Sequence, residues 1–586
     1  MRELKRLLAD LGPYRKDLLL AGLLVLVETA LELFIPVLMA DIIDVGVAAR
    51  DVPYILHKGV QMGVLALLAL VTGLLYARFA ARASYGWGAR IREAQFERVQ
   101  AFAFSNLDRF ETGSLVTRMT TDVTVLQNAV NGGLRPLVRA PVMLVMGIGL
   151  SLWMSARLAL VFLVCTPVLG LILFWVVRTV APMFSRLQGA VDKLNNMVQE
   201  GLTAIRAVKA FVRGEYQEEK FDLVNDELTD TSQRTFRVAV LNLPAFQFTM
   251  YAATVLILWF GGNMILNGAL QVGDLTGVLS YVLQVMNSLM LISNVFLLLT
   301  RSLASARRIA EVLDEEVVLT SPAEGAREVP DGSVDFQGVS FKYHASAREY
   351  ALADVNLHIK AGQTVGILGG TGSAKTTLVQ LIPRLYDVTE GSVKVGGRDV
   401  REYDLAVLRD AVGIVLQKNV LFSGTVRDNL KWGNPAATDE ELWAACRAAK
   451  ADEFLARMPK GLDTDLGQGG VNVSGGQKQR LCIARTLLKR PKVLIFDDST
   501  SAVDTATEAD IRAALAALTG VTKLIIAQRI TSVMHTDQIV ILEDGKVHAV
   551  GTHQSLLASD PIYQEIYASQ MKGGDGDGPS AQREEA

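Results

Sequence analysis

The strongest constraint on the fold is the stretch 241–300, in which Asp274 is the only formally charged side chain. A bilayer crossing needs about 20 apolar residues, so this stretch is long enough for two crossings. The Gly261-Gly262-Asn263 region divides it, and comparable runs occur earlier but not beyond Val334. The sequence therefore predicts six membrane spans, at about 18–39, 59–81, 136–156, 158–180, 241–266 and 275–300.

Positive charge in the connecting segments predicts the topology, because Lys and Arg accumulate on the cytoplasmic side. The connection 82–135 carries several arginines, whereas Arg50 and Lys58 are the only cations between the first two spans. We expect cytoplasmic termini and cytoplasmic connections at 82–135 and 181–240, with helices that continue beyond the membrane. Residues 1–17 alternate charge with leucine, which predicts an interfacial helix rather than a cleaved signal peptide.

Four polar side chains inside the predicted spans are candidates for a substrate cavity. Glu28 and Glu32 lie four residues apart, on one face of the first span, and Gln284 and Asn287 share a face of the last. A carboxylate inside the bilayer costs a few kcal/mol, so it should face protein or water. The glutamates predict either a structural hydrogen bond or a site for a cationic substrate. The amides either line a central cavity or bond to a neighbouring helix.

The remainder of the chain has a different organisation. Residues 314–333 are rich in proline, glycine and acidic residues and predict a linker, so the membrane domain is placed at 1–313. Strand-like segments alternate with helices over 334–572, which is typical of an α/β domain. Strands are predicted at Val334–Val339, Val365–Leu368, Val412–Leu416, Val493–Phe496, Lys523–Ile526 and Gln538–Leu542. The polar, glycine-rich tail 573–586 predicts disorder.

A glycine-rich loop between a strand and a helix predicts a nucleotide-binding site. Backbone N–H groups of such a loop hold phosphate oxygens, the lysine reaches the β- and γ-phosphates, and the hydroxyl that follows binds Mg²⁺. The residues are Gly369, Gly370, Thr371, Gly372, Ser373, Ala374, Lys375, Thr376 and Thr377. Ala374 replaces the glycine usual before the lysine, and its methyl group is tolerable only if φ is negative or the loop relaxes.

Two carboxylates follow the apolar segment Leu494–Phe496. Asp497 suits the Mg²⁺ shell. Asp498 stands where a carboxylate would polarise the attacking water. With the lysine loop, they predict a triphosphate hydrolase site.

The segment Val473-Ser474-Gly475-Gly476-Gln477 resembles the signature motif of ATP-binding cassette (ABC) proteins. Six spans, a linker and one nucleotide-binding domain in that order resemble an ABC exporter half-transporter. The resemblance implies that Tyr343 stacks on adenine, that Gln417 joins Thr376 and Asp497 at Mg²⁺, and that Asp504 belongs to the D-loop. Segments around Asp108–Asp122 and Phe211–Phe221 resemble coupling helices. In this family two cassettes close head to tail on two ATP, so a single chain cannot complete a site.

Four positions depart from the family pattern. Asp498 replaces a catalytic glutamate, Gln528 the switch histidine, Gln468 a glutamate before the signature, and Ala374 a glycine. Aspartate is one methylene shorter, and a displacement near 1 Å can cost about 10²-fold in rate. Glutamine cannot carry the imidazole proton. We expect ATP binding but slow hydrolysis at this chain's own P-loop, beside a nearly intact signature.

This asymmetry resembles the degenerate-site subunit of a heterodimeric bacterial multidrug exporter in the cytoplasmic membrane. The resemblance implies a second half-transporter with a competent glutamate and histidine, and an amphipathic drug or lipid as substrate. Alternatives are a homodimeric exporter with an aspartate base, and a nucleotide-gated channel or regulatory membrane subunit. The net charge of −3 removes the electrostatic case for nucleic-acid binding.

Overall fold

The computed structural model describes residues 6, 7, 9, 11–344, 346–498 and 505–572. The chain forms two compact units. One consists of Met1–Gln100 with Thr112–Glu315, and the other of Ala101–Glu111 with Glu316–Ala586. A short segment between two long helices is therefore grouped with the C-terminal domain. The predicted tail 573–586 and the D-loop residue Asp504 lie outside the described residues.

The first unit is helical, as the apolar runs predict. Its helices are α1 (Arg15–Asp41), α2 (Val52–Ala101), α4 (Thr112–Thr117), α5 (Val123–Met154), α6 (Ala156–Thr203), α7 (Ile205–Ala210), α8 (Gly214–Ala239), α9 (Asn242–Leu266) and α10 (Val272–Asp314). The short α3 (Phe104–Arg109) belongs to the second unit. Short π-helical turns, Ile42–Val47 and Arg118–Asp122, follow α1 and precede α5.

Five helical stretches of the described chain are long and apolar enough to cross a bilayer: Gly12–Val47, Val52–Ala101, Thr112–Met154, Ala156–Thr203 and Gly214–Leu266. They contain the first, second, fourth and fifth predicted spans and most of the third, 136–156, whose helix ends at Met154. The sixth, 275–300, lies in α10, where some side chains are outside the described set. Because α2 and α6 have 50 and 48 residues, each is far longer than one crossing requires. The predicted extension of the spans as long helices is confirmed.

Side chains of α1, α5, α6, α9 and α10 form the main apolar core of the first unit. Leu33, Met143, Phe162 and Tyr281 are all buried there. The Tyr281 hydroxyl donates to the Leu33 carbonyl oxygen at 2.5 Å, which satisfies a polar group that would otherwise be costly to bury.

The second unit contains two sheets. A four-stranded antiparallel sheet has the order β2-β1-β4-β5, and a six-stranded sheet has the order β10-β9-β3-β8-β7-β6, parallel except for β10 with β9. The strands are β1 (Val334–Phe341), β2 (Leu352–Ile359), β3 (Thr364–Gly369), β4 (Glu390–Val395), β5 (Arg398–Asp399), β6 (Val412–Val415), β7 (Val493–Asp497), β8 (Thr522–Ile526), β9 (Gln538–Glu543) and β10 (Lys546–Gly551).

All six predicted strands are present, with small differences at their ends. The sequence reading missed β2, β4, β5 and β10 because polar residues interrupt them. In β2 the buried residues alternate with exposed ones, since one face packs on the core. The buried β7, by contrast, is a continuous apolar run that is easily read from sequence.

The helices of the second unit are α11 (Lys375–Gln380), α12 (Leu405–Ala411), α13 (Val426–Lys431), α14 (Asp439–Ala448), α15 (Asp452–Leu455), α16 (Gly475–Leu488), α17 (Thr505–Ala516), α18 (His553–Ser559) and α19 (Pro561–Lys572). Helices α13 to α16 pack around a second apolar core that includes Leu442, Cys446, Leu481 and Cys482. This core supports α16, the helix that begins at the predicted signature.

Candidate nucleotide site

The predicted phosphate loop joins β3 to α11 at the edge of a cavity of about 370 Å³. The carboxyl ends of parallel strands meet at this edge, which brings residues from distant parts of the chain together. The cavity is lined by Tyr343, Ala351, Thr371, Gly372, Ala374, Lys375, Thr376, Thr377, Gln417, Asp497, Asp498, Ile526 and Gln528. Most of the predicted nucleotide-binding residues thus share one cavity, and Ala351 and Ile526 are additional apolar lining that sequence reasoning missed.

Lys375 is bonded to the loop from which it projects. Its Nζ donates to the carbonyl oxygens of Gly369 at 2.9 Å and Gly370 at 2.7 Å, and lies 3.3 Å from the Ser373 Oγ. Burial lowers the pKa of the lysine, while the nearby carboxylates of Asp498 and Asp497 raise it. A triphosphate would supply the negative charge that the carbonyl oxygens only partly replace.

Asp497 lies at the end of β7 and is almost completely buried. The Thr376 hydroxyl donates to its Oδ1 at 2.9 Å. Burial raises the pKa of Asp497, and the bond from Thr376 opposes that effect. A carboxylate and a hydroxyl so close together, with Gln417 in the same cavity, are the oxygen ligands that Mg²⁺ prefers. The residues therefore fit a metal-bound triphosphate.

Asp498 is hydrogen-bonded to the residue predicted to replace the switch histidine. Gln528 Nε2 donates to Asp498 Oδ2 at 2.8 Å. Burial raises the pKa of Asp498, and this bond and Lys375 lower it. The two departures from the family pattern therefore contact each other, and the amide occupies one oxygen of the carboxylate.

Ala374 has φ of 67° and ψ of 25°, in the left-handed region. The φ of Ala374 is therefore not negative, so the first of the two ways in which the loop could accommodate its methyl group does not apply. A left-handed conformation costs about 1–2 kcal/mol for a residue with a Cβ atom. The loop retains the backbone path typical of glycine although alanine occupies the position.

Tyr343 stands at the entrance of the cavity, with its ring about two-fifths exposed. Its hydroxyl lies 2.8 Å from the Thr377 Oγ1. The ring contacts Phe341 edge-on at a centroid distance of 4.9 Å, and Tyr386 edge-on at 5.3 Å. Its position at the cavity mouth suits stacking on a nucleotide base, and Tyr386 is a supporting ring that sequence reasoning missed.

The predicted signature residues cap helix α16. Ser474 Oγ accepts from Gln477 N–H at 3.4 Å, and Gln477 Oε1 accepts from Ser474 N–H at 2.9 Å. Val473 is buried, and a Cβ atom built on Gly475 would meet nothing within 4 Å. Among the described residues none from Val473, Ser474, Gly475, Gly476 or Gln477 lines the nucleotide cavity. Gln468, the fourth departure, lies in the short 3₁₀ turn Gln468–Gly470.

The intramembrane glutamates are paired with arginines of α5. Glu28 bonds to Arg135, and Arg139 Nη2 donates to Glu32 Oε2 at 2.5 Å. Sequence reasoning missed these partners, although the four-residue spacing of both pairs was a usable signal. Gln284 has a partly buried side chain and Asn287 an exposed one.

Short helices lie at or near the two segments predicted as coupling helices. Helix α3 overlaps the start of the first segment, α4 lies within it, and α7 ends immediately before the second. Asp122, at the end of the first predicted segment, is instead buried beside Ser305 and Arg308 of α10.

A helical membrane domain followed by an α/β domain with a phosphate loop defines a membrane-bound nucleoside triphosphatase. The family description "ABC transporter transmembrane region" matches residues 18–289, and "ABC transporter" matches residues 352–501. The chain belongs to the ABC transporter family, as an exporter with fused membrane and ATP-hydrolysing domains.

Several characterised and uncharacterised proteins share this architecture. An uncharacterised ABC transporter ATP-binding protein of Bacillus subtilis, YfiB, is 38% identical over 97% of this chain and 99% of its own. The ATP-dependent lipid A-core flippase of Desulfotalea psychrophila is 30% identical over 97% of this chain and 99% of its own. A solved bacterial Atm1-family ABC exporter with ATP bound has a TM-score of 0.79 at 26% identity, covering 95% of this chain and 99% of that structure.

Proposed function

We propose that this chain is one half of a heterodimeric exporter, which binds ATP in a degenerate site and lends its signature to the hydrolytic site of a different partner. This proposal is supported chiefly by the Asp498–Gln528 pair, which lies in the chain's own nucleotide cavity. The signature at Ser474–Gln477, by contrast, is intact.

The degenerate site follows from the length and chemistry of its side chains. The Asp498 carboxylate stands one methylene further from the attacking water than a glutamate would, and its Oδ2 is engaged by an amide. A misplacement near 1 Å lowers a rate by about 10²-fold. Gln528 can bond to a γ-phosphate oxygen, but it has no proton to exchange at neutral pH. ATP is held at this site and turned over slowly.

ATP and Mg²⁺ binding should survive these changes. Lys375 supplies the phosphate cation, Thr376 and Asp497 offer adjoining oxygen ligands, and Gln417 lies in the same cavity. Tyr343 provides the ring for the base. When bound, Mg²⁺ neutralises charge on the triphosphate, and these residues orient it without requiring a competent base.

The test compares the chain alone with the chain mixed with a half-transporter that carries glutamate and histidine at the two positions. We expect slow ATP hydrolysis by the lone chain, fast hydrolysis by the mixture, and little effect of Asp498→Asn on the mixture. Fast hydrolysis by the lone chain that Asp498→Asn abolishes would instead establish the homodimer with an aspartate base.

A nucleotide-gated channel or regulatory subunit is the remaining alternative. It is separated by electrical recording in planar bilayers with and without ATP. Ion currents without ATP-driven accumulation of substrate in vesicles would favour it over export.

The substrate we propose is an amphipathic drug or lipid, in keeping with the flippase relative. Neither glutamate offers a cation an unopposed negative charge, because Arg135 and Arg139 pair with them. This pairing favours the structural interpretation over a cationic-substrate site. If it is correct, Glu28→Gln with Glu32→Gln leaves the selectivity among cationic substrates unchanged.

The protein is integral to a membrane. We propose the bacterial cytoplasmic membrane, with both termini on the cytoplasmic side, contacts with membrane lipid, and no nucleic-acid partner. The arginine-rich connection 82–135 supports this orientation.

A further inference from the structure

Tyr386 connects the base side of the nucleotide cavity to the segment 101–111. It lies between α11 and β4, and only 8% of it is exposed. Its ring meets Tyr343 edge-on at a centroid distance of 5.3 Å. Its hydroxyl donates to Asp108 Oδ2 at 2.7 Å, and its ring lies 6.0 Å from that of Phe104. One buried side chain therefore contacts both the base-binding tyrosine and helix α3.

The segment 101–111 packs within the second unit although it is continuous with α2 and α4 in the chain. Asn106 Oδ1 accepts from the Ala103 N–H at 3.1 Å, and Asn106 Nδ2 donates to the Glu316 carbonyl oxygen at 2.8 Å. These bonds hold the segment to itself and to the linker. The Tyr386–Asp108 bond differs from these, because it joins the segment to a side chain that packs against Tyr343 of the nucleotide cavity.

The geometry of the tyrosine cluster makes this tie sensitive to the base. A ring stacked on Tyr343 restricts where Tyr343 can lie, and edge-to-face contacts depend on the relative orientation of both rings. A hydrogen bond weakens steeply once its donor angle falls below about 120°. A displacement of Tyr343 would therefore shift the ring of Tyr386 and change the geometry of the Tyr386–Asp108 hydrogen bond.

We propose that Tyr386 is a positioning residue through which the purine base of the nucleotide, rather than its phosphates, restrains the segment 101–111. This inference rests on the proposed function, because it takes Tyr343 as the base-binding residue. CTP separates the two contributions, since it carries the same triphosphate with a smaller ring.

Hydrogen–deuterium exchange of the full-length chain in lipid nanodiscs tests the proposal without a known substrate or partner. With saturating Mg²⁺ and nucleotide, we expect ATP to slow exchange of amides 101–111 by about five-fold relative to CTP. Tyr386→Phe keeps the ring and removes only the hydroxyl, and it should abolish this difference while CTP affinity stays within about two-fold.

Tyr350→Phe is the matched control, because Tyr350 donates to Glu390 Oε1 at the same 2.7 Å elsewhere in the domain. It should preserve the difference between ATP and CTP. By thermodynamic reciprocity, Asp108→Ala should weaken the preference for ATP over CTP by the factor by which the base affects the segment. Asp108→Asn retains an acceptor oxygen and should restore that preference.

Three results would overturn the inference and can be told apart. If Tyr386→Phe keeps the protection specific to ATP, Tyr386 has no positioning role and the proposed function is unaffected. If ATP and CTP bind the wild-type chain with equal affinity and protect equally, the base role of Tyr343 fails as well. Absence of binding by either nucleotide would contradict the proposed function itself.

Discussion

Two regions of the ATP-binding domain, the phosphate-loop end and the segment before the signature, differ in the residue types that adopt left-handed backbone dihedrals. At the phosphate-loop end, Ala374 and Asp498 have φ of 67° and 47°. Before the signature, the corresponding positive values belong to Gly467, Gly469 and Gly470, at 66°, 66° and 69°. Glycine adopts this region readily, whereas a Cβ atom makes it costly. The phosphate loop also has a glycine with positive φ, Gly372 at 87°, but two left-handed positions at this end carry a Cβ atom, whereas the three before the signature do not.

Side-chain chemistry follows the same division. Ser474 and Gln477 form a reciprocal cap that leaves the start of α16 open. In the nucleotide cavity, Asp498 and Gln528 bond to each other. Under the heterodimer proposal, the signature end serves a reaction in a partner, whereas the phosphate-loop end holds its ligand. This difference is the basis of the heterodimer proposal.

The largest expected effect is at the signature. Gly475→Asp should lower ATP hydrolysis of the assembled transporter by about 10²-fold or more, because a carboxylate would repel the phosphates of the partner's ATP. Nothing lies within 4 Å of a Cβ atom at this position, so the domain should fold normally. Circular dichroism and ATPase rates check both parts, with Gly475→Ala as the control for backbone effects. Unaltered hydrolysis would remove the functional distinction between the two ends.

Restoring the family residues at the other end should have the next largest effect. Asp498→Glu with Gln528→His should raise hydrolysis by pairs of identical copies of this chain by about 10²-fold, since the carboxylate advances toward the water and an imidazole returns. Steady-state phosphate release measures this change. Gln528→His alone is the control, and a double variant no faster than it would show that the length of Asp498 does not limit the reaction.

Ala374→Gly should stabilise the domain modestly. Glycine relieves the left-handed strain but is more flexible when unfolded, which leaves a net gain of about 1 kcal/mol. The unfolding temperature should rise by about 2–4 °C. Ala351→Gly, in the same cavity but with an ordinary φ, should lower it. A fall for both variants would mean that the loop does not store strain at Ala374.

The smallest effect concerns pH. Burial raises the pKa of Asp497 and of Asp498, so the folded domain binds more protons than the unfolded chain between the ordinary and the raised pKa. Stability without nucleotide should therefore fall as pH increases through that window and level off above it. Thermal unfolding across the acidic range measures the slope. Asp497→Asn should reduce it, and an unchanged slope would assign it to other groups.

Much of the fold could be predicted because short stretches of sequence, such as apolar runs, determine the elements they form. The apolar stretch 241–300 requires membrane spans whatever surrounds it, and the buried β7 is a continuous apolar run. Strand β2, half exposed and interrupted by polar residues, gave no comparable signal. Its pairing with β1 depends on partners that the sequence does not identify.

The candidate site shows the same limit. Lys375, Thr376 and Asp497 were predictable because their motifs follow strands and their chemistry is specific. The bond of Gln528 to Asp498 spans 30 positions, and that of Tyr386 to Asp108 spans 278. Neither contact has a periodic or local signature.

The sequence by itself determined the membrane domain, the ATP-binding domain and the positions that depart from the family, because hydrophobicity and motif chemistry are properties of the residues. Only the tertiary structure decided that Ala374 is left-handed, that Arg135 and Arg139 pair with Glu28 and Glu32, and that Tyr386 contacts Asp108. Backbone dihedrals and long-range pairs depend on how distant segments pack, and packing places groups that no local pattern brings together.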